Sequence, residues 1–300
     1  MNKTAIYIPS YQNRYDEIFN YVNELSKDYD IFIVLSEDDT KLKNYAEKFD
    51  FNDSIKLVLT DCKTIGEKRQ FIMTDAYKYG YKYVIQLDDD IRNYGYRITE
   101  ATKRTTSDSY RREKISLKEL LDTLINKIEE INCSYISPMF PFSLGFSKPG
   151  KLNINKNLNF GQCTVFNVKD FNDLGLVYDS RKNVHEDIDI IIQLLQNGKT
   201  CVTLGDYGFE VVPNSSNLSS SVVAGTSALD LCRISLYLKY RDGITLRIGK
   251  RGELRLTCKL DKYWNTKEIP IKKDKYHQDI YQLCLDGDIE KLKDYIRNNK

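Results

Sequence analysis

The first 90 residues alternate between short apolar runs and stretches with helical apolar spacing. The runs with the length and composition of strands are Thr4 to Ile8, Ile31 to Leu35, Ile55 to Leu59 and Tyr83 to Leu87. Between these runs, the apolar residues recur with helical spacing over Tyr15 to Leu25, Lys41 to Phe49 and Ile65 to Tyr79. Continuously apolar strands separated by helices are typical of a parallel sheet covered on both faces, so an α/β fold is predicted.

Downstream of residue 90 the pattern is less regular. Residues 92–112 are polar and lack periodicity, which predicts a mobile functional loop. A helix is expected from Leu117, because Ser116 and Glu119 form a capping-box pair before an apolar stripe. Later strands are predicted over Ser134 to Met139, over Gln162 to Val168 and near Cys201 to Leu204, with a helix over Ile188 to Leu195.

Composition narrows the class of protein. Lys and Arg number 45 against 43 Asp and Glu, a near-balance that excludes a uniformly basic nucleic-acid coat and an acidic tail. Hydrophobic residues make up 41% of the chain, and no apolar run approaches the ~18 residues of a membrane span. The start shows no charged-then-apolar leader and the seven cysteines form no CxxC pair, so we expect a cytoplasmic protein, in the host cytoplasm if it is viral.

Three consecutive carboxylates, Asp88, Asp89 and Asp90, directly follow the fourth predicted strand. Like charges at a strand end repel each other unless a cation compensates them, and hard oxygen ligands suit Mg²⁺ or Mn²⁺. Such an ion would bridge the phosphates of a nucleotide and stabilise a departing diphosphate. A solvated acidic turn is the alternative interpretation.

A second acidic group, Glu186, Asp187 and Asp189, follows His185 at the predicted start of a helix. One carboxylate there can remove a proton from an acceptor hydroxyl, which is general-base catalysis. The helix dipole also favours acidic side chains at this place, so simple capping stays open as an alternative. His185 is either a third metal ligand or a surface residue.

Two further groups are expected on the same rim of the sheet. Lys68 and Arg69 lie at the start of the helix that precedes the acidic run, where N-terminal amides and two cations suit phosphate oxygens. Residues 9–14 after the first strand and residues 36–39 after the second are expected to hold a base and a ribose.

Together these residues resemble nucleotide-sugar glycosyltransferases of the GT-A fold, over about residues 1 to 210. Within that fold, the segments GEKRQ, YVIQLDDDI, GQCTVFNVKDF and HEDIDIIIQLLQNG are similar to the TET-associated glycosyltransferases of bacteriophages, which glycosylate 5-hydroxymethylpyrimidines in DNA. The resemblance implies a GT-A catalytic domain over residues 1–210. Outside the family pattern, a basic acceptor-side extension is predicted over 211–275, and the sequence HQDIYQLCLDGDIEKLKDYIRNN predicts an ankyrin-like helical pair over 276–300, packed on the main domain.

The resemblance also implies a role for each candidate residue. Asp187, with Glu186 beside it, would be the base of an inverting enzyme, or would orient donor and acceptor in a retaining one. Mn²⁺ or Mg²⁺ would bind Asp88 and Asp90, with His185 as the third candidate. The nucleotide-sugar, expected to be a UDP-sugar, would contact Pro9, Ser10, Tyr11, Arg14, Glu37, Asp38, Lys68, Arg69, Asp88 and Asp89.

Local charge supports a DNA acceptor. Residues 97–118 hold seven basic and three acidic side chains, and residues 233–275 hold thirteen and five, a segregation that a phosphate-binding face requires. We therefore expect DNA contacts from Arg104, Arg111, Arg112, Lys250 and Arg251. The aromatic residues expected to stack on an unstacked base are Tyr237, Tyr240, Tyr263 and Trp264.

Two other functions stay open at this point. A glycosyltransferase for a cell-surface or capsular glycan would use the basic segments for solubility or for contact with anionic lipid. A sugar nucleotidyltransferase needs the same fold and metal, but its usual Gly-rich N-terminal signature is missing here.

Overall fold

The computed structural model describes residues 4–50, 52–105, 108–139, 148–179, 185–212, 225–266 and 274–299. The strands in this part of the chain are β1 Thr4–Pro9, β2 Asp30–Ser36, β3 Ile55–Thr60, β4 Tyr83–Leu87, β5 Ile91–Thr105, β6 Asp108–Ser116, β7 Tyr135–Met139, β8 Leu152–Ile154, β9 Cys163–Asn167, β10 Cys201–Val211, β11 Ile244–Ile248 and β12 Leu254–Cys258. The helices are α1 Tyr15–Leu25, α2 Leu42–Phe49, α3 Ile65–Lys78, α4 Leu117–Ile131, α5 Val168–Asp173, α6 Glu186–Gln196, α7 Gly225–Tyr240, α8 Lys275–Asp286 and α9 Ile289–Asn298.

One mixed sheet contains β1 to β10, in the order β3-β2-β1-β4-β9-β7-β10-β5-β6, with β8 also paired to β10. The predicted βαβ units form its parallel half, since β1 pairs in parallel with β2 and β4, and β2 with β3. Strand β9 is antiparallel to both of its neighbours, β4 and β7. Because β1, β2 and β4 run in the same direction, the residues that follow them meet at one edge of the sheet, which we call the carboxyl edge.

Alternate side chains of the strands fill two hydrophobic layers, one on each face of the sheet. In β1, Ala5 and Tyr7 belong to one layer, and Ile6 and Ile8 to the other. Helices α3, α5 and α6 cover the first layer, and α1, α2 and α4 cover the second. The strands are apolar throughout because both faces are covered, which confirms the predicted α/β class.

The prediction of a loop over residues 92–112 is wrong, because the described residues of this stretch, 92–105 and 108–112, lie in strands β5 and β6. They belong to the antiparallel hairpin of β5 and β6 at one side of the sheet, where Tyr94 lies opposite Ser116. Cross-strand contacts between rings and cations hold the hairpin, as when Lys114 Nζ lies 3.5 Å from the Tyr94 ring centroid. No apolar alternation marks such strands in the sequence. Strand β5 begins immediately after Asp90 and runs antiparallel to β10, away from the carboxyl edge.

The C-terminal elements extend the hydrophobic layer that contains α6. Helix α8 contacts α7 and α9, and α9 also contacts β11. The last two helices thus form a pair that packs on the preceding extension, whereas the sequence predicts packing on the main domain. Asp230 of α7 is completely buried and pairs with Lys293 Nζ of α9 at 2.9 Å, so an ion pair joins the last helix to the extension. Within the described residues, no helix combines the length and the apolar composition that crossing a membrane requires.

Candidate active site

The three carboxylates that follow β4 lie at the carboxyl edge, and each has a different environment. Asp88 accepts a hydrogen bond from Arg69 Nη2 at 3.0 Å. Asp89 accepts one from Ser10 Oγ, at the end of β1, at 2.9 Å. Asp90 Oδ1 is buried and has no hydrogen-bond partner among the described residues. The run therefore combines two restrained carboxylates with one buried oxygen that is suited to a cation.

Burial and mutual repulsion raise the pKa of the carboxyl groups in this run. The pKa of Asp89 is raised to about 7, by burial and against the effect of Arg14. Burial, followed by the charge of Asp88, raises the pKa of Asp90 to about 6. Burial also raises the pKa of Asp88, although Arg69 opposes it. A divalent cation would favour the ionised forms and offset this cost.

No group of three or more His, Cys, Asp or Glu side chains is gathered as a metal site in the described parts of the chain. A metal at the acidic run would therefore take part of its ligand set from a bound molecule and from water. This is usual for Mg²⁺, which is held by one or two carboxylates together with substrate phosphates.

Arg69 joins the acidic run to the start of α6. Its Nη2 atom donates to Asp88, and its Nη1 atom lies 2.9 Å from Glu186 Oε1. The side chains of Arg69 and Glu186 are 7% and 5% exposed. Burial raises the pKa of Glu186 although Arg69 opposes the change. One guanidinium thus binds two carboxylates from different parts of the chain and fixes their separation.

The start of α3 is closed by its own side chains. Thr64 accepts a hydrogen bond from the Glu67 N–H at 3.2 Å, and the Glu67 carboxylate accepts from the N–H of Thr64 at 2.9 Å. Lys68 is buried and donates to the Ser10 carbonyl at 2.6 Å, and burial lowers its pKa. Lys68 and Arg69 therefore bind protein oxygens and form the wall of the site in this structure.

Helix α6 begins at Glu186, and the preceding His185 has a left-handed backbone with φ of 66°. Asp187 is half-buried, whereas Glu186 is buried. Asp187 Oδ2 lies against Gly161, where an added Cβ would be 3.0 Å from that oxygen and where φ is +75°. Both the close approach and the positive φ require glycine here. The carbonyl of the next residue accepts from the Asp88 N–H at 2.7 Å, so this loop lies beside both acidic groups.

Sequence reasoning misses the residues that hold α6 from the side of the extension. Asp189 is completely buried, and it accepts hydrogen bonds from Lys239 Nζ at 2.7 and 3.0 Å and from Tyr240 Oη. Burial, and then the carboxylate of Asp189, raise the pKa of Tyr240, so the phenol stays protonated and donates. Helix α7 thus anchors the first turn of α6. The only sequence signal was an acidic residue in a first helical turn, which capping explains equally well.

The residues expected around a nucleoside share the carboxyl edge but differ in exposure. Pro9 ends β1 and is buried, whereas the Tyr11 side chain is 46% exposed. Lys68 Nζ lies 5.9 Å from the Tyr11 ring centroid. Arg14 is buried, with its Nε atom 3.6 Å from Asp89 Oδ1. Tyr11 therefore presents a ring to solvent beside a buried cationic wall.

After β2, Glu37 and Asp38 are exposed. Asp38 pairs with Lys63 Nζ at 2.7 Å, and this contact lowers the pKa of Asp38. Asp39, the last residue of the segment 36–39 predicted to hold a base and a ribose, is buried and accepts from the Gln12 N–H at 2.7 Å. Its carboxylate therefore holds the loop after β1 in place.

The stacking role predicted for three tyrosines of the extension is wrong. Tyr237, Tyr240 and Tyr263 are 4%, 6% and 0% exposed and belong to the hydrophobic core. Of the four predicted aromatic residues, only Trp264 is exposed, at 40%. The tyrosines fill the core because they lie on the apolar faces of their elements.

The predicted DNA-binding cations are found on two hairpins. Lys250 and Arg251 are exposed in the turn between β11 and β12. Arg112 is exposed on β6, with its Cζ atom 5.0 Å from the Tyr96 ring centroid. The backbones of Arg104 and Arg111 belong to β5 and β6, but their side chains lie outside the described residues.

The sequence model of the family described as TET-Associated Glycosyltransferase matches residues 4–217. No curated protein sequence matches the chain. Among solved structures, S. aureus TarS 1-349 has a TM-score of 0.52 and 12% identity, covering 98% of this chain and 90% of that one. GalNAc-T7 with UDP, GalNAc and Mn²⁺ has a TM-score of 0.49 and 11% identity, covering 81% and 49%.

The longer S. aureus TarS structure has a TM-score of 0.48, and the present chain spans 40% of its length. The likeness to TarS 1-349 concerns the fold, which is the GT-A arrangement of a central sheet, parallel over β3-β2-β1-β4, with helices on both faces. The family match covers more than half of the chain and includes both the acidic run and the start of α6. The chain therefore belongs to the TET-associated glycosyltransferases.

Proposed function

We propose that the protein transfers a sugar from a UDP-sugar to the hydroxyl group of a 5-hydroxymethylpyrimidine in DNA. The observation that supports this most is the link made by Arg69 between the acidic run and Glu186. In a chain of this family, an acidic run suited to a metal and a carboxylate suited to general-base catalysis lie at one edge of the sheet.

Asp88 and Asp90 are the proposed ligands of Mn²⁺ or Mg²⁺. The buried Asp90 Oδ1, without a hydrogen-bond partner among the described residues, fits a cation at this position. When bound, the cation would neutralise the diphosphate and stabilise the charge on the leaving group. His185 is the proposed third ligand. It would reach the cation after a shift of α6 toward the acidic run, because no group of three His, Cys, Asp or Glu side chains is gathered as a metal site among the described residues.

The remainder of the carboxyl edge is proposed to hold the nucleoside diphosphate. The exposed Tyr11 ring offers a surface for the base. The exposed carboxylates of Glu37 and Asp38 can accept hydrogen bonds from ribose hydroxyls. Arg14 and Lys68, buried beside the run, contribute positive charge toward the diphosphate.

Asp187 is the proposed general base for transfer with inversion. It is half-buried beside Gly161, whereas Glu186 is paired with Arg69. Asp187 would take the proton of the acceptor hydroxyl as that oxygen bonds to the anomeric carbon and the bond from this carbon to the diphosphate breaks. In a retaining reaction, the same carboxylate would orient the acceptor. Glu186 serves in either case to position Arg69.

The acceptor assignment rests on the family and on local charge. Arg112, Lys250 and Arg251 are exposed and can meet phosphates. A 5-hydroxymethyl group lies in the major groove, so the duplex can present it without full extrusion of the base.

The test is the release of UDP from a panel of UDP-sugars with Mn²⁺, in the presence of hydroxymethylated or unmodified duplex DNA. We expect release that depends on the hydroxymethylated base. Asp187→Asn should lower it by about 10²-fold or more, the range for a lost general base. The matched control is Asp294→Asn, which changes an exposed carboxylate on α9. Release driven by a glycan and not by DNA, or pyrophosphate release from a nucleoside triphosphate, would contradict the proposal.

A further inference from the structure

Rings and cations of β5, β6 and β10 form a strip on one face of the sheet, beside the acidic run. Its members, which we call the hairpin strip, are Arg92, Tyr94, Tyr96, Arg112, Lys114 and Glu210. The β5 members occupy alternate positions, and Tyr96 lies directly opposite Lys114, so these side chains share one face.

Glu210 fixes the two tyrosines of the strip. Tyr94 Oη and Tyr96 Oη donate to Glu210 Oε2 at 3.0 and 2.7 Å. The two rings meet edge to face, with centroids 5.7 Å apart and planes at 81°. The hydrogen bond from Tyr96 and, less strongly, that from Tyr94 lower the pKa of Glu210, so it stays ionised and retains both donors.

The rings in turn hold two cations. Lys114 Nζ lies 3.5 Å from the Tyr94 centroid, and Arg112 Cζ lies 5.0 Å from the Tyr96 centroid. Both side chains are exposed. They are two residues apart on one strand, which separates them by about 6.6 Å along it. With Arg92, the strip contains more positive than negative charge.

The strip begins beside the proposed metal site. Arg92 is the second residue after Asp90, and the Asp90 carbonyl accepts at 2.8 Å from the N–H of Val212, which follows β10 two residues after Glu210. From Arg92 to Tyr96 the strip extends about 13 Å along β5, at the usual strand rise. A chain of phosphates on it would therefore lead directly to the acidic run.

We propose that the hairpin strip binds the phosphodiester backbone of the acceptor DNA next to the modified base. This inference rests on the proposed function and extends it to the way the acceptor is held. Charge complementarity favours this occupant, since Arg112 and Lys114 are accessible cations at fixed positions and a neutral glycan would gain little from them. Tyr94 and Tyr96 are partly exposed. They, and not the buried tyrosines of the extension, can therefore present aromatic rings to the acceptor.

The test compares two double variants. The strip variant carries Arg112→Gln and Lys114→Gln, and the matched control carries Lys43→Gln and Lys56→Gln. The control removes two exposed cations from α2 and β3, and β3 is the edge strand at the opposite end of the sheet from β6. Binding of an unmodified duplex is measured by fluorescence anisotropy between about 50 and 200 mM salt. We expect the strip variant to bind at least roughly ten-fold more weakly at low salt, and its salt slope to be smaller by about 1.8. Melting temperatures check that both variants fold.

A second variant tests whether removing a negative charge from the strip strengthens DNA binding. Glu210→Gln removes the negative charge and keeps an oxygen that accepts from the tyrosines, so DNA should bind more tightly than to the wild type. Weaker or unchanged binding by this variant would contradict a role for the strip in holding phosphates.

The outcomes separate this inference from the proposed function. If DNA is glycosylated but the strip variant binds like its control, the strip is overturned and the function stands. If the wild type binds DNA through the strip but modifies no hydroxymethylated base, the strip stands and the proposed acceptor is overturned. A wild type that does not bind duplex DNA at all overturns the strip.

Discussion

Replacing Arg69 with Gln should destabilise the fold, because it leaves the buried carboxylate of Glu186 without a counter-charge. The two side chains are 7% and 5% exposed and 2.9 Å apart. Removing one partner of a buried ion pair costs about 3–5 kcal/mol. Asp88 is 27% exposed, so the loss of its contact adds little. For a chain of 300 residues, this corresponds to a fall in melting temperature of about 5–8 °C.

The loss should depend on pH in a definite direction. Burial already raises the pKa of Glu186 in the wild type, and removal of Arg69 would raise it further. The folded variant then binds a proton at a higher pH than the folded wild type does, so its deficit in stability shrinks as the pH falls through the folded-state pKa of Glu186 in the variant. Because the unfolded chain titrates alike in both proteins, the deficit should be larger near about pH 8 than near about pH 5.5, which lies below the folded-state pKa of Glu186 in the wild type, raised to about 7.

Urea unfolding of Arg69→Gln and the wild type across this range measures the free energy of unfolding. The double variant Arg69→Gln with Glu186→Gln is the control, because it replaces the ion pair by two neutral amides and should recover most of the loss at high pH. A deficit below about 1 kcal/mol, or one that does not change with pH, would refute the reasoning that Arg69 holds Glu186 ionised in a buried position.

Three further changes address the site. Asp90→Asn should raise the Mn²⁺ concentration needed for half-maximal transfer, and an unchanged Mn²⁺ dependence would remove Asp90 from the metal site. Gly161→Ala should cost about 1–2 kcal/mol of stability at its positive φ and should lower kcat by displacing Asp187, so normal transfer rates would contradict the close approach. Tyr240→Phe removes a donor to the buried Asp189 and should cost about 1.5–3 kcal/mol in urea unfolding, which a stability equal to the wild type would disprove.

The first part of the fold was predictable because it depends on local patterns. Strands β1 to β4 are short apolar runs bounded by helical spacing, and their parallel pairing brings the ends of β1 and β4 together. The contact between Ser10 and Asp89 follows from that pairing. Two sequence motifs far apart in the chain are therefore assigned to one edge by the sequence alone.

The remainder depends on contacts that no local pattern records. The β5–β6 hairpin is stabilised by cation–ring pairs such as Lys114 with Tyr94, so its sequence looks like a polar loop. The positive charge of their segment predicts that Tyr237 and Tyr240 stack on a base of the DNA. Their spacing from the buried Ile234 instead puts all three residues on one helix face in the core. The bridge from Arg69 to Glu186 joins separate elements and becomes visible only in three dimensions.

The central claim is that the carboxyl edge transfers a sugar to a hydroxymethylated base. It is tested most directly by incubating the protein with UDP-sugars, Mn²⁺ and 5-hydroxymethylated duplex DNA, digesting the DNA to nucleosides and measuring their masses. The account predicts a hydroxymethylated nucleoside whose mass is increased by one sugar residue, reduced by about 10²-fold or more with Asp187→Asn and absent from unmodified DNA. Nucleosides of unchanged mass with every donor, while a glycan acceptor gains sugar under the same conditions, would contradict it.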